Sequence, residues 1–187
     1  MNNALAPWQK SNATLICVVI RSAKPEDAPA IATVHVTAWK AAYRGIVPDE
    51  FLDSLSIEQR SDTWRRILLA GSQEDVFVAQ AADTIVGWIS AAASRDPDAG
   101  PSTGEIWAVY VAPAHWRTGI GRLLCQRAER SLAEQGLNEV TLWVLKDNRL
   151  AQHFYRSTGF IADPQCEKTI VRARTELQEI RMRKPLG

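Results

Sequence analysis

Val109-Tyr110-Val111-Ala112-Pro113-Ala114-His115-Trp116-Arg117-Thr118-Gly119-Ile120-Gly121 reads as a strand, a proline-marked exit and two glycines opening an amphipathic helix that runs to about Gln135. At a helix start the first backbone N–H groups have no intrahelical partner, and the aligned peptide dipoles leave partial positive charge there, so an anion can settle on the turn. Gly119 and Gly121 remove the side chains that would hold a pyrophosphate away from those amides. A Walker-type loop needs Gly-Lys followed by Ser or Thr, and Arg122 follows Gly121 here. A dinucleotide fingerprint needs a third glycine where this chain has Leu124. Both nucleotide readings fail on residues they cannot do without.

Downstream lies Leu142-Trp143-Val144-Leu145-Lys146-Asp147-Asn148-Arg149-Leu150-Ala151-Gln152-His153-Phe154-Tyr155-Arg156-Ser157-Thr158-Gly159-Phe160, a strand followed by a helix that Asn148 opens and Gly159 closes. Leu150 and Phe154, four apart, are expected to face the core, and Asn148 and Tyr155, seven apart, to share a different face.

The flanking segments supply a sheet and its helices. Leu15 to Ile20 reads as a first strand, and Lys24-Pro25-Glu26-Asp27 opens a helix through Ile31, Val34, His35, Ala38, Trp39 and Ala42 that Gly45 stops. Pro48 to Leu52 predicts a short second helix, and Ser56 N-caps a third reaching Leu69. Asp75–Ala81 and Thr84–Ala93 flank Ala82-Asp83 as a hairpin. Arg95 to Gly104 reads as a flexible loop before a strand from Ile106 to Val111. Glu139 to Leu145 is a strand with Val140, Leu142 and Val144 on one face, and Thr175 to Met182 is a last strand.

The 187 residues are enough for one α/β domain with a core and too few for two. With 22 basic and 21 acidic residues and no long run of like charge, the composition argues against a nucleic-acid footprint or a polybasic membrane anchor. Cys17, Cys125 and Cys166 lack metal-ligand spacing and fit reduced thiols in a cytoplasm, so no metal is expected. The apolar run from Leu15 to Ile20 is too short to span a bilayer. Residues 1–14 carry no apolar signal core and are expected to be a loose tail ahead of one domain over 15–187.

The positions Trp116 to Gly121 resemble the acetyl-coenzyme A loop of the GNAT (Gcn5-related N-acetyltransferase) superfamily, Gln/Arg-x-x-Gly-x-Gly/Ala ahead of a helix. Trp116 departs from the first position, and Arg117 stands beside it to supply the charge. Asn148, Ala151, Phe154-Tyr155 and Gly159-Phe160 resemble the second signature of the same superfamily. The resemblance runs from about Leu15 to Met182 and is strongest from Glu105 to Phe160. It implies a single-domain α/β fold, a mixed, mostly antiparallel twisted sheet of six to seven strands flanked by helices, with splayed central strands. It implies acetyl-CoA as the acetyl donor, held at Arg117, Thr118, Gly119, Ile120, Gly121 and Arg122 and along the pantetheine arm at Val109, Val111 and Asn148. Tyr155 would lie near the thioester sulfur, and Trp39, Tyr43, Glu105 and Trp107 near the acceptor. A C₂ homodimer is compatible with the resemblance, and no sequence feature fixes it.

Acetyl transfer to an amine makes three demands. The acceptor must lose a proton, because an alkylammonium of pKa near ~10.4 is no nucleophile. The carbonyl oxygen needs a donor as it gains charge, here a backbone N–H of Val109 or Val111. The thiolate needs a proton, for which the Tyr155 phenol is the best candidate. Glu105 at the mouth of the strand is either the general base, through water or with a raised pKa, or an exposed strand-end charge. His115 and His153 are weaker bases, and His35 is either a pocket wall or structural. Arg44 is either a carboxylate anchor or a helix C-terminal partner. The favoured activity is direct attack of a small-molecule primary amine in a ternary complex. A protein lysine or N-terminal acetyltransferase and a non-catalytic acyl-CoA-binding module are the alternatives.

Overall fold

The computed structural model describes residues 17–71 and 74–187. Its strands, in chain order, are β1 (Val18–Ser22), β2 (Asp75–Ala81), β3 (Thr84–Ala93), β4 (Thr103–Val111), β5 (Glu139–Leu145), β6 (Ile161–Arg172) and β7 (Thr175–Pro185). They form one sheet in the order β1-β2-β3-β4-β5-β7-β6, antiparallel throughout except between β4 and β5. The helices are α1 (Ala28–Ala42), α2 (Asp49–Asp53), α3 (Ile57–Leu69), α4 (Ile120–Glu134) and α5 (Arg149–Ser157). The expected mixed, mostly antiparallel α/β fold is present, with seven strands.

Alternation along the strands divides the core between two faces. On one, α1 and α3 bury Ile31, Val34 and Trp64 against Val76, Val78 and Trp88. On the other, α4 and α5 bury Leu124, Leu132 and Tyr155 against Phe77, Ile89, Ile106 and Leu142. A third cluster joins Val47 and Leu52 to Leu145 and Leu177, and so ties α2 to the β6–β7 hairpin.

The central strands separate. β4 and β5 pair only from Thr103 opposite Glu139 to Ile106 opposite Leu142. Beyond that point Trp107 is an extra residue, because Ala91 faces Ile106 and Ser90 faces Ala108. A bulge of this kind bends its strand and sharpens the twist, while β5 stays paired with β7 along its whole length. β4 therefore leaves β5 and opens a gap.

Four expectations need correction or trimming. Leu15 and Ile16, placed in the first strand, lie outside the described residues, as does the tail 1–14, and β1 runs from Val18 to Ser22. The 95–104 stretch is anchored rather than loose. Arg95 donates to Glu105, Trp143 Nε1 donates to Asp96 at 2.9 Å, and the half-buried Arg181 guanidinium bonds Asp96 and Asp98. Leu150, expected in the core, is 47% exposed, because the helix turns Gln152 and Tyr155 inward instead. The strand β6 between Gly159 and the last strand was not anticipated. Among the described residues no helix is long and apolar enough to cross a membrane.

Candidate active site

The gap between β4 and β5 belongs to a cleft of about 960 Å³. The turn before α4 forms one end, and the face of α1 with the β6–β7 hairpin forms the other. The unpaired edge of β4 runs between them. Ala112 N–H donates to Val86 O on β3 at 2.8 Å, so strand alternation turns the backbone groups of Val109 and Val111 to the opposite edge, into the gap. The Val111 carbonyl is taken by Trp116 Nε1 at 2.7 Å. Trp116 thus braces the turn against the strand it leaves.

The turn is built from backbone. Arg117 and Gly119 adopt left-handed φ values of +62° and +89°. The first intrahelical bond is Leu123 N–H to Gly119 O at 3.1 Å, which leaves the N–H groups of Ile120, Gly121 and Arg122 without helical partners. A Cβ at Gly119 would meet nothing within 4 Å, so open space lies where a phosphate would sit. Gly121 serves a different end: a Cβ there would stand 3.1 Å from the Phe154 ring, so this glycine lets α4 and α5 touch. Two of the expected side chains turn away. Thr118 Oγ1 donates to His115 O at 2.7 Å, and Ile120 is buried in the core, so each can offer only its amide. Arg122 lines the cleft and donates to Ser157 O at 3.1 Å.

On α5, Asn148 is both cap and wall. Its Oδ1 accepts from Ala151 N–H at 3.0 Å, and the buried residue lines the cleft. Tyr155 is 9% exposed and borders the same space. Burial, then the nearby Cys125 and Tyr43 groups, push its phenol well above the ordinary value, so the hydroxyl keeps its proton.

At the far end, His35 and Trp39 from α1 and Tyr43 from its C-terminal cap project onto Tyr110 of β4. The Tyr43 and Tyr110 hydroxyls are 3.2 Å apart. His35 packs against both Trp39 and Tyr110, with ring centroids 5.7 and 5.2 Å away, and neither ring nitrogen has a partner among the described residues. Burial, then the charge of Arg60, push its pKa down to about 3. Trp107 lines the cleft with the Arg95 guanidinium 4.1 Å from its ring centroid.

Glu105 is not brought into this space. Its carboxylate is buried at the start of β4, where it accepts from the Arg95 backbone N–H at 3.0 Å and from both ends of the Arg95 guanidinium, and it does not line the cleft. His115 and His153 line the cleft from the turn before α4 and from α5. Arg44 also stays outside, paired with Asp49 and Asp53 of α2. Among the described residues the one carboxylate on the cleft lining is Glu179 of β7, which sequence reasoning missed. No signal flagged it: it stands in a run of alternating charges on the last strand, without a motif. No cluster of metal-ligating side chains occurs among the described residues.

A family model described as the acetyltransferase (GNAT) family matches residues 36–160. The N-acetyltransferase YuaI of Bacillus subtilis is 34% identical over 132 residues, covering 70% of this chain and 73% of its own length. The spermidine N(1)-acetyltransferase of Thermoplasma acidophilum is 27% identical over 147 residues, 76% of this chain and 88% of that protein. The solved PaiA N-acetyltransferase of T. acidophilum, in complex with coenzyme A, has a TM-score of 0.70 at 22% identity, over 90% of this chain and 99% of that one.

Proposed function

The chain belongs to the acetyltransferase (GNAT) family and is an N-acetyltransferase, and we propose that it moves an acetyl group from acetyl-CoA to the primary amine of a small molecule by direct attack in a ternary complex. The observation that carries this reading is the continuity of the cleft. An anion-binding turn, a free strand edge, a protonated phenol and an aromatic chamber line one space. The open position at Gly119 and the unpartnered amides after it fit a pyrophosphate, and the relative solved with coenzyme A supports that assignment.

When bound, acetyl-CoA supplies the acetyl group: the amine nitrogen bonds to the carbonyl carbon as the carbon–sulfur bond breaks. The chain manages the charges that result. The amides of the turn hold the diphosphate, with Arg117 and Arg122 beside them. Asn148 and the Val109 and Val111 backbone align the arm, and an N–H on that edge is positioned to donate to the carbonyl oxygen. Tyr155, kept neutral by burial, donates a hydrogen bond to the departing sulfur and relays to it a proton that the phenol regains from water, so it ends the cycle protonated. The ammonium proton of the acceptor leaves through water in the cleft, because the Glu105 carboxylate is taken up by Arg95.

The acceptor end is walled by side chains from α1, β4 and the β6–β7 hairpin, which suits a small amine better than an extended peptide. Thiol release from acetyl-CoA over a panel of small amines and amine-bearing peptides tests this directly. Turnover with small amines is expected. Tyr155→Phe should lower kcat by about 10²–10⁴, the usual range for an acid–base group, with the coenzyme A Kd unchanged. Turnover on peptides alone would overturn the small-molecule reading, and an unchanged kcat in Tyr155→Phe would remove the proposed acid.

A further inference from the structure

Glu179 belongs to β7 and faces Leu145 at the end of β5. Its side chain is 17% exposed, it borders the cleft, and its negative charge, after burial, helps to hold the Tyr43 phenol above its ordinary value. It therefore stands next to the aromatic wall of α1. Among the described residues the other fixed charges on the lining are cationic: Arg117 and Arg122 at the turn and the exposed Arg172 on the hairpin.

The surroundings of Glu179 already accommodate an ammonium. Lys168, its cross-strand partner, places Nζ 3.5 Å from Glu179 Oε2 and 3.8 Å from the centroid of Trp143, a ring that itself lines the cleft. An aromatic face beside a carboxylate is the arrangement that attracts organic cations. The Lys168 side chain is 42% exposed, so its hold on Glu179 is screened and open to competition.

Position decides which part of an acceptor would meet this carboxylate. β7 is two strands from β4 in the sheet. At about 4.8 Å per strand that is roughly 10 Å, and the splay widens it. The reacting nitrogen must lie by the free β4 edge and Tyr155, so Glu179 reaches the acceptor's tail and not its nucleophile. We propose that Glu179 determines acceptor specificity by binding a second positive charge, so that the preferred substrates are diamines or longer polyamines and not monoamines or amino carboxylates. The inference rests on the small-amine reading above.

Two measurements test it on the full chain. The first is calorimetric titration of 1,4-diaminobutane, n-butylamine and 4-aminobutyrate into the protein with coenzyme A, which needs no turnover. The second is kcat/KM for the same three amines with acetyl-CoA. The diamine is expected to bind and react at least about tenfold better than butylamine, the size of one partly screened charge-assisted contact. Glu179→Gln should collapse that ratio toward one with the coenzyme A Kd unchanged, and Lys168→Gln, by removing the competitor, should tighten the diamine. An equal loss on diamine and monoamine in Glu179→Gln overturns the proposal, as does a wild-type preference for 4-aminobutyrate or an unaltered ratio. Turnover on peptides with none on any of the three amines, and no diamine binding, overturns the small-amine reading as well. Turnover with an unaltered ratio overturns only the role of Glu179.

Discussion

The two ends of the cleft are built by different means. The turn end is local: Trp116 to Arg122 place free amides, a left-handed glycine and a braced exit within seven consecutive residues. The acceptor end is assembled from α1, the bulged β4 and the β6–β7 hairpin, so that Trp39, Tyr110 and Glu179 meet across most of the chain. On the proposed reading one ligand is recognised chiefly through backbone amides and the other through side chains that can each be exchanged. A shared cofactor with diverging acceptors is the natural product of that division.

The sharpest way to break the contrast is to strain the turn. Gly119 has φ +89° and open space at its Cβ position, so the Cβ of Gly119→Val meets no clash and the backbone penalty dominates. That penalty is about 1–3 kcal/mol, most severe for a β-branched residue. A distorted turn should raise the coenzyme A Kd by about 10- to 100-fold in a titration. Gly119→Asn, which tolerates the left-handed region, should lose much less. If Gly119→Val binds coenzyme A like wild type, the cradle is not made by this backbone.

The same division explains what could be read from sequence. The turn, the Asn148 cap and the Tyr155 register follow from short spacings, and the structure places all three on one cleft. The hairpin that carries Glu179 was illegible for a stated reason. Its two-residue loop is Ala173-Arg174, with φ of +49° and +64°, where such a turn normally announces itself with Asn-Gly or Gly. β6 also interrupts its own pattern: Pro164 and a register shift between Ala162 and Glu167 break the alternation, tolerable on an edge strand. The Trp107 bulge and the clamp of Arg181 on Asp96 and Asp98 are tertiary and leave no local mark.

The acceptor end makes a second prediction through His35. Its folded pKa is pushed down to about 3, below the ordinary value near ~6.5 of an unfolded chain. Over that interval the unfolded state binds the proton and the folded state does not, so stability is full above pH ~6.5 and falls as pH drops toward 3. At pH 5 the loss is about 2 kcal/mol, at ~1.36 kcal/mol per pH unit. His35→Phe keeps an aromatic ring in the stack and removes the titration. Denaturant unfolding at pH 7.5 and pH 5 should show a smaller drop for the variant by about that amount. Equal drops would mean that His35 gains a proton inside the folded chamber, and the acceptor end would then be wetter than its burial indicates.

The smallest expected effect bears on which region the start of β4 belongs to. Glu105 is buried, but its partner Arg95 is 57% exposed, so the pair is screened on one side and Gln can still accept from Arg95. Glu105→Gln should therefore cost about 1 kcal/mol in unfolding free energy. It should also loosen the 95–102 loop, and with it the guanidinium over Trp107, which hydrogen exchange at Arg95 would register. Because the carboxylate does not border the cleft, the pH profile of kcat/KM should keep its shape. If instead the acidic limb of that profile moves while stability does not, Glu105 takes the acceptor proton during turnover. Part of the acceptor end would then be encoded next to the cofactor motif, and the division between the two ends would fail at this strand.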